Sequence, residues 1–184
     1  MSSPLRISLA KATPAVAAEL AELGRRTFHD TFAADNRPAD MAAYEAGAFG
    51  PEQQLAELRD PNTTFLVAAM QGQAVGYACL GADSDLGLEA GKDPAGRLEI
   101  RRLYVLEDWQ GTGLGAALMR ASLALAEELG CAAVVLGVWE KNARALAFYQ
   151  RFGFRPIGQH DFQLGQDRQT DLILRKGLAG RRAT

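Results

Sequence analysis

The chain has 184 residues, 48% of them hydrophobic, and a formal net charge of -2 at pH 7. That length makes one domain the expectation, with a core large enough to need no disulfide or structural metal. The near-balanced charge argues against an extended nucleic-acid surface, which calls for a basic excess. Cys79 and Cys131 stand far apart and outside any CxxC, and His29 and His160 are too scattered to suggest a metal site. With no signal-like N-terminus and no long apolar run, the expectation is a reduced, cytoplasmic protein without a membrane partner.

Residues Leu5–Leu9 alternate apolar and polar and predict a first strand. Thr13-Pro14 reads as an N-cap followed by proline at the first helical position, opening a helix through Val16, Leu20 and Leu23 to about Phe28. Pro38 and Pro51 open two shorter helices, Ala39–Ala48 and Glu52–Leu58, before Asp60-Pro61-Asn62 breaks the pattern. Thr63–Met70 and Ala74–Leu80 flank Gln71-Gly72-Gln73 and predict a hairpin. Gly81 to Gly96, with Asp83, Asp85, Glu89 and Asp93, reads as a mobile acidic loop.

Leu98–Val105 predicts a strand, and Leu114–Leu129 a helix with Leu114, Leu118, Ala121, Leu125 and Leu129 on one face. Between them lies Gln110-Gly111-Thr112-Gly113-Leu114-Gly115-Ala116. A strand, a glycine turn and a helix start make an anion site, because unpaired amides of the first helical turn point outward and the helix dipole favours negative charge there. Gly130 ends that helix, and the apolar run Ala132–Trp139 predicts a strand covered on both faces, parallel to the one before it. Asn142 caps a second helix, Ala143–Phe152, ended by Gly153. Gln159–Leu164 and Gln169–Arg175 form a closing hairpin around Gly165-Gln166-Asp167. Residues 1–176 are expected to form a single domain of class α/β (α+β), a mixed and mostly antiparallel sheet with one parallel pair in the middle, and 177–184 a frayed tail.

Three readings of the glycine turn compete. A P-loop is excluded, because no Lys-Ser/Thr pair follows the last glycine. A dinucleotide fingerprint fits formally as Gly111-x-Gly113-x-x-Ala116, but Leu106 to Gln110 separate it from its strand and it lies past mid-chain. A purely structural turn is a costly use of three alternating glycines at a helix start.

Gln110-x-x-Gly113-x-Gly115 after a Leu-Tyr-Val strand resembles the acetyl-CoA motif of the Gcn5-related N-acetyltransferases (GNAT), and Asn142 followed seven residues later by Tyr149, then Gly153-Phe154, resembles that family's second motif. The resemblance covers essentially the whole chain. It implies about seven strands with the fourth and fifth parallel and splayed, acetyl-CoA as acetyl donor with CoA as product, and transfer to a primary amine in a ternary complex. It further implies that Gln110, Gly111, Thr112, Gly113, Leu114, Gly115 and Ala116 hold the pyrophosphate and that Leu103, Tyr104 and Val105 line the pantetheine arm. Asn142 and Arg151 would add cofactor contacts. Tyr149 would protonate the leaving thiolate; on periodicity alone it is a core aromatic. Glu99 is the candidate base, with an ion pair to a neighbouring arginine as the alternative.

A narrower resemblance, to PaiA-type bacterial polyamine acetyltransferases, rests on Thr27-Phe28-x-Asp30-Thr31-Phe32, Leu136–Asn142 and Gln169–Ile173. It implies a small-molecule amine as partner, with Phe28, Asp30, Phe32 and Glu140 around it; Phe28 and Phe32, four apart, also fit plain helix packing. Trp109 is either a lid over the glycine turn or packing. Acetylation of a protein N-terminus or lysine, and a non-catalytic acetyl-CoA-binding module, are the competing functions. A monomer or homodimer is expected.

Overall fold

A computed structural model describes residues 4–82, 84, 86 and 96–179. Most of the acidic stretch, including Asp83, Asp85, Glu89 and Asp93, and the tail from 180 onward lie outside the described residues. Seven strands form one sheet in the order β1-β2-β3-β4-β5-β7-β6. Their ranges are β1 Arg6–Leu9, β2 Thr63–Met70, β3 Gln73–Gly81, β4 Arg97–Val105, β5 Ala133–Trp139, β6 Arg155–Leu164 and β7 Asp167–Gly177. Only β4 and β5 run parallel; every other neighbour pair is antiparallel.

Helices α1 (Pro14–Phe32), α2 (Pro38–Ala48) and α3 (Pro51–Arg59) precede β2, α4 (Leu114–Glu128) joins β4 to β5, and α5 (Ala143–Arg151) follows β5. Each of the first three starts at a proline, whose missing N–H is no loss at that position. Thr13 accepts from the Val16 amide at 3.3 Å, the expected cap. α1 runs one turn further than its apolar spacing suggests. Thr27 and Thr31 bond back to carbonyls one turn earlier, at 2.7 and 2.8 Å, so their polar groups stay satisfied inside the helix.

One face of the sheet carries α4 and α5 over Leu98, Ile100, Val134, Leu136 and Val138. The other carries α1 to α3 over Phe65, Tyr77 and Cys79, with Phe28, Met41, Phe49 and Leu164 beside them. The buried stripe of α4 is Leu114, Leu118, Met119, Ser122 and Ala126. It differs from the predicted one: Leu129 lies at the C-cap, 57% exposed. Ser122 is hidden because its hydroxyl donates to the Leu118 carbonyl at 2.8 Å.

The closing hairpin is also longer than expected. β6 begins at Arg155 and passes through Pro156, which an edge strand tolerates because its outer side needs no N–H. The turn is two residues, Gly165-Gln166, with Leu164 opposite Asp167. Its tip sits on α2, where Asp40 accepts from the Gln166 amide at 2.8 Å and from Arg37 at 2.6 Å. Among the described residues no helix is long and apolar enough to cross a membrane, and no group of His, Cys, Asp and Glu is set to hold a metal.

Candidate active site

The parallel pair is joined only at its start, Arg97–Glu99 against Ala133–Val135. Beyond that, β4 keeps to β3 as far as Val105, while β5 keeps to β7 as far as Trp139. A bulge strengthens the divergence: Ile100 faces Leu80 and Arg102 faces Cys79, so Arg101 is an extra residue that bends β4. The parting strands bound a cleft of about 750 Å³, of a size that suits a cofactor and a small ligand together. The Leu106 amide donates to the Val75 carbonyl at 2.9 Å. Alternation along the ladder then turns the polar groups of Tyr104 to β3, and those of Leu103 and Val105 to the cleft. That is an edge to which an extended amide chain can add as a further strand.

At the end of this edge stands the glycine turn. Gly111 (φ +79°) and Gly113 (φ +91°) are left-handed, and Gly113 is the N-cap of α4 with no side chain closing the first turn. The amides of residues 114–116 are therefore free of any cap, and Gly111, Gly113, Gly115 and Ala116 line the cleft. Gln110 braces the turn, donating to the Val105 carbonyl at 3.0 Å and accepting from Arg144 at 2.5 Å. Thr112 and Leu114 do not reach the cleft with their side chains. The Thr112 hydroxyl bonds to the Trp109 carbonyl at 2.7 Å, and Leu114 is buried in the core. Trp109 packs against that same core. Apart from its own stretch of backbone, no atom of the described residues lies within 4 Å of a Cβ added at Gly113. Gly113→Ala therefore costs only the left-handed backbone, about 1–2 kcal/mol in denaturant unfolding.

α5 brings up the other wall. Asn142 accepts from the Ala145 amide at 3.1 Å, the expected cap, and lines the cleft together with Arg151. The helix ends in a Schellman motif: the Phe154 amide bonds to the Tyr149 carbonyl (3.2 Å) and the Gly153 amide to that of Gln150 (3.0 Å). The hydrophobic contact that accompanies such an ending joins fully buried Phe154 to the Tyr149 ring, at 5.9 Å between centroids. The ring is thereby pinned in the cleft. Burial pushes its hydroxyl up to about 12, so it is a protonated phenol at neutral pH.

The far end is aromatic and acidic. Phe28 stacks on Tyr44 and meets Phe32, both at 4.7 Å, Phe32 meets Trp139 edge-on at 6.0 Å, and Tyr44 meets Phe162 at 5.3 Å. The Tyr104 ring belongs to this wall, edge-on to Tyr77 at 5.6 Å and near Phe49 at 6.2 Å. Asp30 lines the cleft with Arg26 3.8 Å away. Two anticipated acids stay out of the lining. Glu140 is exposed, in the turn that begins where β5 ends at Trp139. Glu99 lies on the opposite side of β4 from buried Leu98 and Ile100 and pairs with Arg101 at 3.7 Å.

Sequence reasoning did not single out Tyr44, Gly137, Arg144, Phe162 or Asp171 as site residues, yet all line the cleft. Burial raises the Asp171 carboxyl against a smaller downward pull from His160. The sheet order β5-β7-β6 brings Gly137, Phe162 and Asp171 together, while α2 and α5 carry Tyr44 and Arg144 to the same cleft.

Comparison with known proteins agrees with this geometry. A family model described as the acetyltransferase (GNAT) family matches residues 23–154. An uncharacterized N-acetyltransferase of Lactobacillus delbrueckii subsp. lactis is 36% identical over 160 residues, covering 87% of this chain and 91% of its own. The spermine/spermidine N(1)-acetyltransferase of Bacillus subtilis is 37% identical over 93 residues, half of this chain and 59% of its own. Among solved structures, the PaiA N-acetyltransferase of Thermoplasma acidophilum in complex with coenzyme A superposes with a TM-score of 0.78 at 18% identity, covering 96% of this chain and all of that one. At that identity the likeness speaks for the fold.

Proposed function

The chain belongs to the acetyltransferase (GNAT) family, and from that premise we propose that its acceptor is a small primary amine of the polyamine class. The chain is an acetyl-CoA-dependent N-acetyltransferase. The observation that carries the acceptor reading is the far end of the cleft, where Phe28, Phe32, Tyr44 and Trp139 surround a space bearing Asp30 and Asp171. Carboxylates suit ammonium groups, and aromatic faces suit both the cations and the methylene chain between them. The half-length match to a spermine/spermidine acetyltransferase supports the same class.

In this reading the uncapped amides after Gly113, with the turn from Gln110 to Ala116, hold the diphosphate of acetyl-CoA. The Leu103 and Val105 edge takes the pantetheine amides, and Asn142 and Arg151 flank them. A lysine-like amine is an ammonium at neutral pH, with a reference pKa of about 10.4, so it must lose a proton before its nitrogen can attack. Tyr149 donates its phenolic proton to the departing thiolate.

Wild-type protein with acetyl-CoA and a panel of spermidine, spermine, amino acids and peptides, read by release of CoA thiol, tests the acceptor. Spermidine and spermine are expected to give the highest kcat/KM. A peptide N-terminus or lysine peptide in first place overturns the acceptor class. Tight acetyl-CoA binding with no thiol release from any amine makes the protein a binding module instead.

A further inference from the structure

Three carboxylates line the cleft, and they are not equivalent. Glu107 is exposed in the 3-10 turn ahead of the glycine cradle, away from the aromatic end. Asp30 is one-third exposed and has Arg26 at 3.8 Å. Asp171 is half-buried on β7, beside Trp139 of β5 and His160 of β6, and has neither a hydrogen bond nor an ion pair among the described residues. A carboxylate withdrawn from water without a partner is a standing cost, and a cation that arrives with the substrate relieves it.

A second observation marks where that cation sits. Gly137 interrupts the apolar run of β5 and lines the cleft, though its backbone is ordinary strand. A Cβ built there would stand 3.6 Å from Asp171 Oδ2 and 3.1 Å from His160 Nε2. A side chain at 137 would crowd both groups, and its absence leaves the cleft bounded there by the β5 backbone and Asp171. The titratable groups facing Asp171 are His160 from β6 and Tyr44 from α2; β5 offers only Gly137 and Trp139 there, while α1 and α5 bring Asp30 and Tyr149 to the same cleft.

We propose that Asp171 receives the proton of the acceptor amine, which sits in the space in front of Gly137; this rests on the acetyl-transfer reading above. The ammonium gives one proton to Asp171 Oδ2, and the freed lone pair forms the N–C bond to the acetyl carbonyl carbon. The C–S bond breaks, the sulfur takes the Tyr149 proton, and the second proton shed by the nitrogen restores the phenol. The Asp171 proton leaves to solvent with the acetylated product, so one proton is released per turnover.

Burial raises the Asp171 carboxyl, so its proton-accepting form is lost as pH falls through that raised value, and kcat falls with it. Asp171→Asn is expected to lower kcat at pH 7 by about 10²-fold or more with CoA affinity unchanged. The defect shrinks as pH rises toward about 10, where solvent supplies the free amine. The variant melts at the same temperature or higher, because an unpaired, half-buried charge is gone. Gly137→Ala, which leaves the carboxylate but fills the space, is expected to lower kcat/KM for the amine and spare CoA binding.

An Asp171→Asn defect that is equal at both pH values, confined to KM, or accompanied by a lower melting temperature overturns the assignment. So does full kcat in the variant, or a pH-dependent loss in Glu99→Gln instead. If wild-type protein releases no thiol with any amine, the acceptor reading itself fails; if it turns over normally and Asp171→Asn does too, only Asp171 is displaced.

Discussion

Tyr149→Phe lowers kcat by about 10²- to 10⁴-fold and leaves the affinity for CoA unchanged. The two readouts separate because ring and hydroxyl have different tasks. The ring packs on Phe154 at 5.9 Å and Phe148 at 5.4 Å, contacts that phenylalanine keeps, so the C-terminal Schellman turn of α5 and the cleft wall stay in place. The hydroxyl has no hydrogen-bond partner among the described residues and faces the cleft, where a leaving sulfur develops negative charge. With burial pushing it up to about 12, the phenol holds its proton through the whole working range and contributes no alkaline limb below that value. A thiol ionises near 8.5, so in the proposed reaction the phenol would act chiefly through a strong hydrogen bond to the nascent thiolate, with full transfer as the amide nitrogen sheds its proton. Steady-state thiol release and CoA titration of the variant decide the matter. Undiminished kcat removes the acid role, and a parallel loss of CoA affinity makes Tyr149 a binding residue.

What could be read from the chain was what is local. The glycine turn, the Asn142 cap and the proline-led helices depend on neighbours within a few residues, and the structure has all of them. Tyr149 was legible only through its place in a family pattern, since its helical face marks it equally as core. Parity and register were not legible. Trp139 and Glu140 are adjacent, and the end of β5 between them decides that the aromatic lines the cleft and the acid does not. Glu99 lies in the stretch where β4 still pairs with β5, before the strands part, so the ion pair with Arg101 is the alternative that the geometry realises. Asp171 lies in the Gln169–Ile173 stretch that carries the narrower resemblance, but its environment comes from β5 and β6 on either side. The extended β6 was hidden by Pro156 and Gly158, residues that argue against a central strand and say little against an edge.

Nor did the sequence announce what holds the substrate side of the sheet to its helices. Arg102 of β4 and Glu57 of α3, 45 residues apart, form a two-pronged pair at 2.7 and 2.8 Å with side chains only 15% and 16% exposed. Gln54 lies 3.4 Å from the same guanidinium, and the Phe49 ring centroid lies 5.8 Å from it. Glu57→Ala leaves that cation buried without its anion, a loss of about 3–5 kcal/mol for pairs of this kind. The lower end applies here because Gln54 and Phe49 remain, which places the fall in melting temperature on the order of 10 °C for a chain of this size. Replacing both partners by apolar residues costs less than removing Glu57 alone, since no charge is then stranded. Burial by itself raises the Glu57 carboxyl, but the hydrogen bonds and charge of Arg102 outweigh it and hold the group below its usual range. A depressed carboxylate contributes its full stability above the unfolded value of about 4.3 and loses it as pH falls through the folded one. The gap between wild type and Glu57→Ala is therefore widest at neutral pH and closes on acidification. A gap that stays constant down to the acid transition means that the packing of the Glu57 stem, and not its charge, secures α3 to β4.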